Sequence, residues 1–129
     1  MKQLDSTVER GETVIQVVIA VPIVLSMLLI AVQAMLFMHS ANIANLAASK
    51  GASVAANSQG DLVTALNTAT YTAAELGGQI IGSPTATVTD GFAVVAVRVA
   101  VPKVAPFFPD SVIRRGEEPL EVFVEEDQR

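Results

Sequence analysis

The sequence predicts an α+β protein: a long N-terminal transmembrane helix extended into a head, where a second helix packs on a small antiparallel sheet of about three strands. Three observations predict it. Residues 13–38 form an apolar stretch, and no Asp, Glu, Lys or Arg occurs between Glu12 and Lys50. An Ala-rich segment of helical period follows, out to Ala56. The C-terminal half then turns to β-branched alternation around Asp90-Gly91.

As a helix, residues 13–38 rise ~39 Å, more than the ~30 Å hydrocarbon core of a bilayer. The polar residues within the stretch, Thr13, Gln16, Ser26 and Gln33, carry no charge. Pro22 removes one backbone hydrogen bond, which a membrane helix tolerates, and a kink is expected there. Ser26 and Gln33 are seven apart and share a face two turns along. Ser26 is expected to bond its own backbone, and Gln33 to face a partner helix.

Past His39, Ile43, Leu46 and Val54 alternate with Ala at 41, 44, 47, 48, 52, 55 and 56. The spacing predicts that the first helix continues outward as an amphipathic rod to about Ala56. Small side chains let another helix approach closely, and Gly51 marks either a bend or a close contact. His39, the only histidine, reads as a polar residue at the membrane exit rather than a ligand or catalyst.

Asn57-Ser58-Gln59-Gly60 breaks the rod. Asp61 then reads as the N-cap of a second helix that Gly77-Gly78 closes. Leu62, Leu66, Ala69, Ala73 and Leu76 supply one apolar face, expected to pack back on the first helix.

Thr85 to Thr89 alternates, and Asp90-Gly91 is a strong hairpin turn. Phe92 to Val101 reads as a long strand whose Ala93, Val95, Val97, Val99 and Val101 face the helices, and Pro102 ends it. Residues 103–119, rich in proline, read as a loop. Its Phe107 and Phe108 are expected as core plugs, with insertion into a membrane surface or a partner as the alternative. Leu120 to Val124 alternates as a third strand, and Glu125-Glu126-Asp127 as a solvated acidic tail.

Composition narrows the function. Net charge is −5 and aromatics make up 5% of 129 residues, which disfavours nucleic acid as a partner. With no cysteine there is no disulfide, thiolate metal site or cysteine nucleophile. No Gly-rich phosphate loop, H-E-x-x-H or G-x-S-x-G motif occurs. No catalytic residue, metal ligand or cofactor is expected, and the chain reads as a structural or assembly protein rather than an enzyme.

The leader MKQLDSTVERG is polar, with Lys2 and Arg10 balanced by Asp5 and Glu9. It ends in Gly11 where the apolar helix begins. No A-x-A-like site follows the apolar run, so a cleaved secretory signal is not expected. The stretch ERGETVIQVVIAVPIVLSMLLIAVQAMLFMHSANIANLAASKGASVAA resembles the TadE-like pseudopilins of tight-adherence type IV pilus systems. The resemblance rests on Arg10-Gly11, Pro22, Gln33, Phe37-Met38-His39 and Lys50-Gly51-Ala52, in order and at family-like spacing over residues 9–56. It departs at two positions. Gln16 stands where the family has Glu, fifth after the processing glycine, and Glu12 stands where a small or apolar residue is usual.

The resemblance implies a leader at 1–11, a membrane helix with its extension at 12–56 and a small pilin-like α+β head at 57–129. It implies cleavage between Gly11 and Glu12 by a prepilin peptidase, with Gln16, Pro22 and Gln33 as candidate subunit contacts. The implied partners are the membrane, other pilin or pseudopilin subunits and a pilus assembly platform. The implied place is the bacterial inner membrane, N-terminus cytoplasmic and head extracytoplasmic, or an extracellular pilus. Rival readings are an uncleaved single-span scaffold of a membrane complex and a major filament-forming pilin.

Overall fold

The computed structural model describes residues 5–121, and the side chains of residues 11–121. Two helices and three strands follow one another as α1 (Asp5–Asn57), α2 (Leu62–Glu75), β1 (Thr85–Thr89), β2 (Phe92–Ala100) and β3 (Ser111–Pro119). The protein is α+β: a long apolar N-terminal helix, a second helix and a three-stranded antiparallel sheet in the order β1-β2-β3.

α1 is one helix from Asp5 into the head, and Pro22 lies within it without ending it. Ser26 lies one turn on, and its hydroxyl donates to the Pro22 carbonyl at 2.7 Å, so this serine bonds its own helix as expected. α1 ends in a turn in which the Gly60 amide donates back to the Ala55 carbonyl at 2.8 Å. Gln59 (φ 55°) and Gly60 (φ 92°) are both left-handed in this turn, and Gln59 holds a conformation that glycine usually occupies.

Asp61 caps α2 as the sequence predicts. Its carboxylate accepts from the Val63 and Thr64 amides at 3.1 and 3.2 Å and from the Thr64 hydroxyl. The Thr64 hydroxyl and amide, with a smaller contribution from the Val63 amide, outweigh desolvation and hold the Asp61 carboxyl below its ordinary value. At the other end the Gly78 amide reaches Ala73 O and the Gly77 amide reaches Ala74 O, with Gly77 at φ 77°. That pair of bonds is the Schellman closure that Gly77-Gly78 signals.

The face of α2 turned inward is narrower than expected. Ala65, Ala69, Thr72 and Ala73 are buried, while Leu62 and Leu66 are half-buried and Leu76 is exposed. Small residues take the centre because α1 comes close. A Cβ added to Gly51 would sit 3.0 Å from Ala69 Cβ and 3.1 Å from Ala65 O. Gly51 therefore marks a helix–helix close approach.

Asp90 (φ 54°) and Gly91 (φ 81°) both take the left-handed region, as a two-residue hairpin turn of type I′ requires. β1 pairs with β2 from Thr89↔Phe92 to Thr85↔Ala96. The inward set Ala93, Val95, Val97, Val99 and Val101 is buried as predicted. Beyond the end of β1, residues 79–81 take over the free edge of β2: the Ile81 amide donates to Arg98 O and the Ala100 amide to Gln79 O.

The third strand is not where the alternation at Leu120 to Val124 puts it. It is Ser111–Pro119, inside the stretch expected to be a loop, paired with β2 from Ala100↔Ser111 to Phe92↔Pro119. Leu120 and Glu121 lie beyond it, and the remainder of the expected strand and the acidic tail fall outside the described residues. The physical reason is contact with α1. Gly116 faces inward, and a Cβ there would lie 2.5 Å from the backbone carbon and oxygen of Ala48. Only a strand bare of side chain at that point lets α1 lie on the sheet.

The core is thus an Ala–Val sandwich. Ala44, Ala47, Ala48, Ala52 and Ala55 of α1 and Ala65, Ala69 and Ala73 of α2 meet the inner valines of β2, all within one buried cluster. Each buried alanine removes little apolar area, so close backbone approach supplies through dispersion what large side chains would supply elsewhere.

Candidate functional site

From Val14 to Val32 every large apolar side chain of α1 is exposed, between 40% at Val32 and 66% at Val18. At Gln33 one face of the helix becomes buried, with Gln33 0% exposed, while Met35 and Met38 on other faces remain exposed. Residues 13–32 rise ~30 Å, the thickness of a bilayer core. This helix is long and apolar enough to cross a membrane, with a mean hydropathy of 2.8 over its most apolar window. Past Val32 one face of α1, with Gln33 and Phe37, packs on the head, while Met35 and Met38 on other faces stay exposed.

Gln33 is the hinge point between the two regimes. Its Nε2 donates to Pro102 O at 3.0 Å, and its Oε1 accepts from the amides of Val104 (2.7 Å) and Ala105 (3.0 Å). All three bonds go to the connection between β2 and β3. The carboxamide expected to face a partner helix is instead occupied by its own chain. A buried amide in apolar surroundings needs such partners, and this connection brings two amides and a carbonyl to it.

Seven residues on, the buried Ser40 hydroxyl donates to Ala100 O at 3.0 Å. Gln33 and Ser40 thus hold the end of β2 and the start of the following connection against one stripe of α1. The sevenfold spacing that marks this stripe runs 26, 33, 40, 47. Ser26 and Gln33 share this face as the spacing predicts, but the residue that acts with Gln33 is Ser40, seven positions further along it. The signal was present in the same spacing, read in the other direction.

Below Gln33 on this side, Ala105 to Phe108 form a shallow apolar groove with Ser26, Leu29 and Ile30 of α1. Phe107 is 99% exposed and Phe108 half-buried, so Phe107 does not plug the core. The core has no room for it: the sheet and helices already meet at van der Waals distance through Gly116, Gly51 and the alanines.

The other predicted positions lie along the bare helix and are not brought together. Gly11 is helical, with nothing within 4 Å of where a Cβ would stand. Glu12 and Gln16 are exposed on α1, Gln16 lying ~25 Å from Gln33 along the axis. Pro22 is exposed, its carbonyl taken by Ser26. His39 is exposed beside a cleft lined by Ser40, Gly78 and Pro102, and among the described residues no three His, Cys, Asp or Glu side chains cluster as metal ligands would. What the arrangement offers is a surface for association: a bare apolar rod continuous with the helix that builds a small head. No family profile, curated protein or solved structure matches the chain.

Proposed function

We propose that the protein is a minor pilin or pseudopilin subunit of a tight-adherence type IV pilus assembly or secretion machine, acting by lateral packing of α1 in the membrane or filament. One observation carries this reading: an apolar helical surface bare over residues 14–32 is continuous, in one helix, with the stripe that builds the head. Such a surface must be covered by lipid or by neighbouring helices. A rod continuous with its head transmits the packing of one to the position of the other.

The resemblance over residues 9–56 supports the family reading, and so does the position of Gly11. A glycine within a helix lowers local helix stability by about 1 kcal/mol relative to alanine. That eases opening of the backbone at the Gly11–Glu12 bond, where a prepilin peptidase would cut. The N-terminus is then cytoplasmic and the head extracytoplasmic, in the bacterial inner membrane or at an extracellular pilus.

Gln16 favours a second reading, an uncleaved single-span scaffold, because it offers a neighbouring subunit's N-terminal amine a hydrogen bond but no charge. Subunit composition tests the proposal. A photo-crosslinker at exposed Val24 should capture pilin-like subunits or the assembly platform, with this chain a minor component of sheared filaments. Dominance in those filaments makes it the major pilin. Capture of no pilus component makes it a scaffold of another complex.

A further inference from the structure

The segment between β2 and β3 has a composition and a depth that the head does not explain. Residues 104–109 read Val-Ala-Pro-Phe-Phe-Pro, bracketed by Lys103 and Asp110. Phe107 is 99% exposed and takes φ 74°, a left-handed conformation that a bulky side chain rarely adopts. A strained backbone that leaves an aromatic ring almost wholly exposed at the rim of a groove gains little within the chain itself.

The placement of the segment is fixed from above. Gln33 holds Pro102, Val104 and Ala105, and the chain then descends along α1 to the groove with Ser26, Leu29 and Ile30. If the hydrocarbon core extends over residues 13–32, these helix positions lie ~3–9 Å inside its outer boundary. The exposed apolar surface of α1 is continuous with the segment at this depth, since Leu29 and Ile30 are themselves exposed.

Backbone chemistry agrees with that depth. In lipid an amide without a partner is costly, so the donors of an inserted loop must be absent or occupied. Pro106 and Pro109 have no N–H, and the amides of Val104 and Ala105 are both taken by Gln33, so of residues 104–109 only the Phe107 and Phe108 amides are left to solvate at the tip. Lys103 and Asp110 stand at the two ends of the segment, where charges can reach the headgroups.

We propose that residues 104–109 insert their aromatic tip among the acyl chains of the extracytoplasmic leaflet, beside α1, so that the head is held to the membrane at two points. This rests on the reading that α1 spans a membrane. The occupant of the groove is lipid. Two anchors fix the tilt of the head against the bilayer, which a single helix leaves free.

The chain has no tryptophan, so one introduced tryptophan is a clean probe. The full-length protein is reconstituted in phosphatidylcholine–phosphatidylglycerol vesicles as F107W and, separately, as L28W. The proposal expects F107W emission to be blue-shifted, shielded from aqueous iodide and quenched by lipids brominated on the upper acyl chain. Iodide quenching with no bromolipid quenching places the loop in water and overturns it. Shielding from both quenchers shows that another protein surface covers Phe107, and overturns it equally. L28W separates the two levels: if it is quenched by bromolipid while F107W is not, only the loop proposal fails. If L28W is not quenched, the spanning reading fails and takes the proposal with it.

Discussion

The Val104 amide donates to the Gln33 carboxamide oxygen at 2.7 Å across 71 positions of sequence, joining the top of the bare helix to the β2–β3 connection. The Ala105 amide reaches the same oxygen, so one side chain satisfies two backbone donors that have no strand to pair with. Replacing Gln33 by leucine keeps the bulk and removes the acceptor. Q33L should lower the stability of the head by about 1–3 kcal/mol, the cost of orphaned buried amides. Urea unfolding in detergent micelles reads the loss, and hydrogen exchange should accelerate at Val104 and Ala105 before it does so in β2.

Gly116 and Gly51 make a graded pair. A Cβ at Gly116 meets the Ala48 backbone at 2.5 Å, and a main chain in mid-helix cannot step aside. G116A should cost about 1–3 kcal/mol or more, as overpacking does. At Gly51 the nearest atoms are 3.0–3.1 Å away, and alanine returns about 1 kcal/mol of helix propensity. G51A should therefore cost clearly less than G116A in the same unfolding assay. Equal costs would mean that the sheet does not press on α1 through Gly116.

Asp61 gives the head an acid-sensitive component. Its folded-state carboxyl titrates below the ordinary aspartate value of about 3.9 because the Thr64 hydroxyl and the Thr64 and Val63 amides favour the charged form. A depressed folded value means stability that is fully present above the unfolded value and lost as pH falls through the folded one. Native protein should therefore lose more melting temperature below about pH 4 than D61A does, with the two curves converging in acid. D61N, which keeps a capping oxygen, should stay closer to native at neutral pH and be flatter below it.

Introducing a carboxylate at position 16 tests the proposed pilin-like packing. A lone charge within a membrane helix costs about 2.5–3.5 kcal/mol on insertion scales, unless a neighbour pairs with it. If processed subunits pack as proposed, Q16E should raise the yield of cross-linked subunit complexes relative to native protein. Poorer membrane insertion with no gain in complexes would count against a neighbour's amine at that site.

The elements that could be read from sequence are those whose signals are local. The Asp90-Gly91 turn, the alternation of Phe92 to Val101 and the Asp61 and Gly77-Gly78 caps each carry their own chemistry within a few residues. β3 carries none. Arg114, Arg115, Glu117 and Glu118 are polar, Pro119 ends it, and of the two residues it buries one, Val112, is a lone valine and the other, Gly116, a glycine. Its strand character comes from pairing with β2 and from the approach of Ala48, neither visible in a window. Leu120 to Val124 has the better alternation, yet Leu120 and Glu121 already lie outside the strand. Gln33 failed for a related reason: a polar residue in an apolar helix signals a partner, and nothing local says that the partner lies 69 to 72 residues on in the same chain.

The account turns most directly on the bond between Gly11 and Glu12. Intact-mass and N-terminal peptide mass spectrometry of the protein, recovered from membranes that contain a prepilin peptidase, reads it in one step. The proposed function predicts a mature chain that begins at Glu12, with the leader absent. A chain that still carries its leader under those conditions contradicts processing and leaves α1 as the anchor of an uncleaved scaffold.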